Sequence, residues 1–302
     1  MSINSTSTTG LFLAKEDSFG VLPVDPSWQT LRFTSESLNF SAETVESDEI
    51  ISDRQMIDKI LVGFSSAGDI NFEFSNDTFD TLLEGVMQSS FDEATGIIEN
   101  GDTQQFYSIE KKLTDNAYEQ YKGMAPNTMS LSVEAKQKIS GAFGFIGKNT
   151  ETSTTPVATS PAAPTSTAVM TASTNVANIS GFSGTFTQSL SIDINNNLRE
   201  AAAVGELGSV GVGNGTFTVT GQAVVYFKDH TIFNALKNRD RFLISFDVTD
   251  STGAGYKIEL LSVKIDSSER VAGGKNQDLV ENIQFTALRD PASGKTLRIT
   301  KL

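Results

Sequence analysis

The 302-residue chain contains no cysteine and a single histidine, His230. Without thiols there is no disulfide framework, no thiol nucleophile and no metal site of the Cys or multi-His kind. A Ser-His-Asp triad has one candidate for its base. No apolar run approaches the ~20 residues of a membrane-spanning helix. The opening segment, MSINSTSTTGLFLAKEDSF, lacks a basic region followed by an apolar stretch and a cleavage site, so it does not read as a secretory signal. Basic residues are also short: 23 Lys and Arg against 37 Asp and Glu leave a formal net charge of −14. A surface that grips nucleic acid needs cations to neutralise phosphates, and this chain is poor in them. An acidic surface remains compatible with nucleic acid that passes without sticking.

What is present falls into two parts. The length predicts two domains at roughly 150 residues each. Residues 149–178 are dominated by Ser, Thr, Ala and Pro and offer almost nothing for a core, which predicts a linker or mobile loop. It divides the chain into an N-terminal domain over 1–148, with an N-terminal arm over about 1–25, and a C-terminal domain over 179–302.

The two parts repeat one pattern. In DINFEFSNDTFDTLLEGVMQS, Ile70, Phe72 and Phe74 share a strand face. Asp77 suits a helix N-cap, and Phe79, Leu82, Leu83 and Val86 form one helical stripe. In GTFTVTGQAVVYFKDHTIFNALKNRD, the residues Phe217, Val219, Ala223, Val225 and Phe227 share a strand face. Asp229 is placed to cap, and Ile232, Phe233 and Leu236 form a short stripe. Further on, FYSIEKKLTD parallels FLISFDVTD, QYKG parallels GYKI, and MSLSV parallels IELLSV. The order strand, strand, helix, strand, strand, strand recurs, as an internal duplication would give. Alternation in SLSIDI, LISFDV and TLRITKL predicts a mainly β chain: an antiparallel sandwich or small barrel with one short helix per part.

Each candidate chemical site has a plain structural reading beside it. Between Gly205 and Gly215 lie five glycines, but an alternating strand follows them rather than a helix, and no Lys-Ser/Thr pair follows Gly215. A phosphate loop needs that helix N-terminus, so a flexible crossing or hairpin fits better. GGKNQ (Gly273–Gln277) and SGKT (Ser293–Thr296) read as turns between strands for the same reason. His230 shows no nucleophile or orienting partner and reads as a surface or capping residue, neutral near pH 7. Trp28 reads as a core or interface aromatic. The acidic stretch holding Glu43, Glu46, Asp48, Glu49 and Asp53 lacks the central glycine of a calcium loop. It follows the strand around Leu31–Phe40 as the stretch holding Asn197, Arg199, Glu206, Gly208, Gly211 and Gly213 follows SLSIDI. Both excursions are read as arms that reach a neighbouring subunit, since long excursions in compact domains are often functional. No catalytic, cofactor-binding or metal-binding residue is assigned.

Several stretches occurring in order resemble the tail tube proteins of long-tailed bacteriophages. They are LSIDINNNLREAAAVGELGSVGVGNGTFTVTGQAVVYFKD, GGKNQDLVENIQFTALRDPASGKTLRITKL and YKGMAPNTMSLSVEAKQKISGAFGFIGK. The resemblance covers about residue 25 to the C-terminus, except 149–178. It implies tandem β-sandwich or half-barrel domains, each with a flanking helix and a long hairpin loop, whose sheets join around a ring into one inner β-barrel. Rings would stack head-to-tail into a hollow tube through which genomic DNA transits without specific binding. Two tandem domains per chain imply a trimeric, pseudo-hexameric ring, with a hexamer as the alternative. The implied partners are further copies of the chain and the tape measure, tail tip and tail terminator proteins. The implied location is the virion tail, assembled in the host cytoplasm, either a bare siphovirus-type tail or a sheathed contractile one, with no membrane and no cofactor. Two other classes compete. A β-rich surface binding or adhesin module would be a monomer or small oligomer. A glycosidase would need two carboxylates facing a cleft, and nothing here selects a pair.

Overall fold

The computed structural model describes residues 8–49, 52, 55–172, 176–180, 185–271 and 274–302. Among them are 19 strands and two eight-residue helices. The first part contains β1 (Gly10–Lys15), β2 (Gln29–Thr30), β3 (Ser35–Glu36), β4 (Asn39–Glu46), β5 (Lys59–Glu73), α1 (Asp80–Met87), β6 (Ile97–Glu99), β7 (Tyr107–Thr114), β8 (Ala117–Glu134), β9 (Ser140–Gly147) and β10 (Asn149–Ser153). The second contains β11 (Val176–Ser180), β12 (Thr187–Asn195), β13 (Arg199–Ala201), β14 (Gly211–Gly213), β15 (Thr218–Tyr226), α2 (Thr231–Asn238), β16 (Phe242–Thr249), β17 (Gly255–Val271), β18 (Val280–Ala287) and β19 (Leu297–Lys301).

All pairings between neighbouring strands of the ladders are antiparallel, and the two parts share one order. In the first, β7 pairs β8, β8 pairs β9, β9 pairs β5, and β5 pairs β3 and β4. In the second, β16 pairs β17, β17 pairs β18, β18 pairs β15, and β15 pairs β12. The outer strands repeat too: β1 lies on β7 as β11 lies on β16, and β10 lies on β8 as β19 lies on β17. β8 and β17 each feed two layers. Their first halves pair with β7 and β10, or β16 and β19; their second halves pair with β9 or β18. Bulges at Pro126/Thr128 and Ile265/Ser267 mark the bends, as expected where a strand changes direction.

The alternation read from the sequence is the alternation of burial. Leu190, Ile192 and Ile194, Ile244, Phe246 and Val248, and Leu297 and Ile299 all point inward. Ile70 is buried, and Phe72 and Phe74 meet Phe79 and Phe143 in an aromatic cluster. Val219, Ala223 and Val225 are buried, while Phe217 and Phe227 lie just outside β15 and are half-buried. The core does not stop at the boundary between the parts. Met129 and Leu131 of the first pack with Ile192, Ile194, Ile258, Leu297 and Ile299 of the second.

Three local expectations need correction. Asp77 is not the N-cap of α1: it sits at φ 57, its N–H donates to the Tyr256 hydroxyl at 2.9 Å, and Phe79 begins the helix. The short polar side chain tolerates the left-handed turn, and the cap position falls two residues later. Residues 154–172 are not a free tether. Ala158 and Met170 are buried; the Trp28 carbonyl accepts from Ala162 N–H at 2.8 Å, and Phe74 O accepts from Met170 N–H at 2.9 Å. Arg32 donates to Thr167 O at 2.7 Å, and Glu110 accepts from Val157 N–H at 2.6 Å. A segment poor in apolar side chains is held instead through its backbone groups, which need partners wherever they are buried. The N-terminal arm region likewise includes β1, whose Leu11 and Leu13 are in the core.

Candidate assembly and lumen surfaces

Three surfaces emerge from this arrangement: a polar face of the joined sheet, two arms, and two open strand edges.

In an antiparallel ladder, paired residues point to the same side. Opposite the core, Ser191, Asp193 and Asn195 of β12 stand across from Ser132, Ser130 and Thr128 of β8. Ser191 and Asp193 also face Gln222 and Thr220 of β15, which face Gln284 and Thr286 of β18. Thr286 donates its hydroxyl to Asp266 at 2.6 Å and pairs with Lys264. On the other side, Ser130 faces Ala142, which faces Asn71, which faces Ser35; Asp69 faces Gly144. The result is a continuous sheet face of small hydroxyl and amide side chains. It carries the carboxylates Asp69, Glu73, Glu134, Asp193, Asp266 and Glu269, with the ammonium of Lys264 among them. Asp193 lines both grooves on this face, and its partial burial pushes its carboxyl above the usual value. Such a face presents no cationic row to hold phosphates.

The acidic arm is the β4–β5 hairpin. Every residue of β4 is exposed, including Glu43 and Glu46; Asp48 and Glu49 are exposed beyond it, and Asp53 lies outside the described residues. Val45, Met56, Ile57, Ile60, Leu61 and Val62 are exposed on the same hairpin. The glycine-rich arm behaves differently, because it folds back on the first part of its own chain. The Asn196 amide donates to Val86 O at 2.9 Å and to Pro126 O at 3.2 Å. Asn127 Oδ1 accepts from Leu198 N–H at 2.9 Å. Asn214 Oδ1 accepts from Gln88 at 2.9 Å and Gln104 at 2.7 Å. Asn197, at φ 48, donates to Thr216 O at 2.7 Å, and Arg199 donates to Asn214 O at 3.1 Å. Gly211 and Gly213 lie in β14, paired with β13. Gly215 has a geometric reason to be glycine: a Cβ there would stand 2.1 Å from Asn197 O. Gly208 passes beside Lys148 O, Glu206 is exposed, and Leu207 O accepts from Phe64 N–H at 2.8 Å. The two arms thus meet at the tip, where burial and then Glu43 raise the Glu200 carboxyl.

The amides Gln88, Gln104, Asn127, Asn196 and Asn214 carry this contact and escape a sequence reading, because lone Asn and Gln follow no motif. The remaining candidates are structural. His230 is exposed at the start of α2, 3.3 Å from Arg270. Trp28 is buried against Ala14 and Ala158. Asp290 caps the turn at Ser293, and within GGKNQ residues 274–277 form a turn after β17, Gly273 lying outside the described residues. Among the described residues no group of three or more His, Asp or Glu side chains could hold a metal ion, and no helix is long and apolar enough to cross a membrane.

None of the curated proteins matches the chain. A family model described as phage tail tube protein matches residues 6–287, and with nearly its whole length covered the chain belongs to that family of structural phage tail proteins.

Proposed function

We propose that the chain closes into rings that stack into the hollow tube of a phage tail, with the polar sheet face turned toward the lumen. The observation that carries this reading is that face: a sheet running unbroken through both parts, apolar on one side and hydroxyl-, amide- and carboxylate-rich on the other. Low cation density lets DNA slide past rather than bind, because attraction to phosphate is what would hold it. Two repeats per chain fit a ring of three copies with approximate sixfold symmetry; six copies is the alternative. Lateral contacts close the ring, and the two unlike faces of a cyclic ring give head-to-tail stacking. The tape measure, tail tip and tail terminator proteins are the expected partners in a bare, siphovirus-type tail assembled in the host cytoplasm. No step of this role calls for a catalytic group. Electron microscopy of the purified chain, with light scattering on the same sample, tests the reading. Rings or tubes with threefold averages are expected; a monodisperse monomer that stays so in the presence of the other tail proteins overturns it and favours a binding module.

A further inference from the structure

The chain contains one junction between repeats and leaves both halves of a second one open. At the internal junction, β12 of the second part pairs with the C-terminal half of β8, through Ser191↔Ser132 and Ile192↔Leu131. The strand equivalent to β12 in the first part is β3–β4, and the strand equivalent to β8 in the second is β17. Among the described residues, β3 and β4 pair only with β5, and no strand pairs with the outer side of Asp266–Arg270.

The equivalences follow from register. α1 and α2 are both eight residues long and end at left-handed caps, Gln88 and Arg239. Phe72 and Ala223, each eight residues before its helix, pair with Gly141 and Ile283. Through β5 and β15, Ser35↔Asn71 and Glu36↔Ile70 then match Ser191↔Gln222 and Ile192↔Gly221. Through β9 and β18, Leu131↔Gly141 and Ser132↔Ser140 match Ser268↔Ile283 and Glu269↔Asn282.

We infer that a second copy of this chain lays its β3–β4 edge antiparallel along Asp266–Arg270, with Ser35 opposite Glu269 and Glu36 opposite Ser268. This deepens the ring reading and rests on it. Charge supports the same seating. In the internal copy of the contact, the arm following β12 crosses the C-terminal end of α1 on neutral amides, Gln88 and Gln104. The arm following β3 carries Glu43 and Glu46, and the end of α2 carries exposed Lys237, Arg239 and Arg241 around a single acid, Asp240, for a net positive charge. Acids on one side and bases on the other favour this docking and disfavour a swapped one. The exposed apolar residues of the β4–β5 hairpin also gain cover by seating there, as a large exposed apolar set on a soluble chain requires.

The test uses the absence of native cysteine. Ser35→Cys with Glu269→Cys places two thiols at directly opposed positions, within disulfide reach only if the register holds. Oxidation of assembled protein is expected to convert most chains of this double variant into covalent oligomers, at least tenfold more than either single variant. Ser35→Cys with Lys264→Cys, displaced by roughly 15 Å along the strand, is expected to stay at the single-variant level. In parallel, Glu43→Lys with Glu46→Lys is expected to slow assembly several-fold, and Lys237→Glu with Arg239→Glu in the same chain to restore it. Wild-type chain that forms neither rings nor tubes overturns the ring reading and this inference together. Tubes of the Ser35→Cys/Glu269→Cys variant without cross-links, or cross-linking of the displaced pair instead, overturn the edge pairing alone. Failure of that variant to assemble, with no rescue in the charge-swap series, also counts against it.

Discussion

α1 and α2 have the same length, follow equivalent strands and end in the same left-handed cap, yet their surroundings differ. α1 buries Leu82, Leu83, Gly85, Val86 and Met87; α2 buries only Ile232. The difference does not come from the strands beneath, which match in order. It comes from place: α1 sits at the internal junction, where Asn196 of the second part reaches Val86 O and β6 pairs with β19. α2 sits at the end of the chain's run of repeats, with Phe233, Tyr226, Leu243 and Leu279 exposed. In a repeat array each unit buries its face against its neighbour, and among the described residues α1 has such a neighbour while α2 does not.

The largest expected effect comes from removing one residue from each helix at the same position. Leu82→Ala is expected to lower unfolding stability by about 2–5 kcal/mol, because it opens a cavity in a sealed core. Its counterpart Phe233→Ala, which loses only a half-exposed ring 4.7 Å from the Arg270 guanidinium, is expected to cost about 1 kcal/mol or less in the unassembled chain. Urea denaturation of both variants checks this; equal losses would break the comparison.

Tyr256 tests the internal junction itself. Its buried hydroxyl, from the second part, bonds Asp80 and the Asp77 N–H of the first. Tyr256→Phe is expected to cost about 1–3 kcal/mol, since it leaves those groups short of a partner. A loss confined to a few tenths would mean that the apolar contacts alone hold the parts together.

The same phenol predicts a pH dependence. Burial, and then Asp80, holds the Tyr256 hydroxyl well above its ordinary value near 10.0, and burial raises Tyr107 and Tyr121 as well. Above pH 10 the unfolded chain releases protons that the native state keeps, so stability falls as pH rises through that range. Urea midpoints at pH 9 and 11 should show the fall, and Tyr256→Phe should lessen it, with Tyr107 and Tyr121 keeping the rest.

The smallest effect on folding is expected from the polar sheet face. Asp193→Lys exchanges an exposed carboxylate and should move stability by within about 0.5 kcal/mol. Its consequence belongs to the assembled tube: DNA retention in a filter or gel-shift assay at low salt should rise and fall again with added salt. Unchanged retention in assembled Asp193→Lys protein would place this face away from the lumen.

Much of the fold was legible because burial in an antiparallel sheet has period two. The stripes through Leu190, Ile244 and Leu297, and the helical stripe through Phe79 and Val86, are local signals that point the same way as the packing. The strap over 154–172 was not legible, because its attachment runs through backbone groups and hydroxyls that no hydropathy pattern records. β6 escaped for a related reason: three residues have no period, and Ile97–Glu99 is a strand only because β19 pairs with it. The arms were visible as long excursions, but which one would fold home was not. That depends on Asn127 and Gln88 standing where Leu198 and Asn214 arrive.

By itself the sequence determined the element types, the duplicated order and the acidic, cation-poor character, since each is a property of neighbours along the chain. The tertiary structure alone decided that the two parts share one sheet and one core, that the carboxylates Asp69, Asp193 and Asp266 share a face, and that, among the described residues, β3–β4 and the Asp266–Arg270 stretch of β17 each keep one unpaired side. Those outcomes depend on which strand pairs with which across more than fifty residues of chain, as in Ser132 with Ser191, and no local propensity encodes that choice.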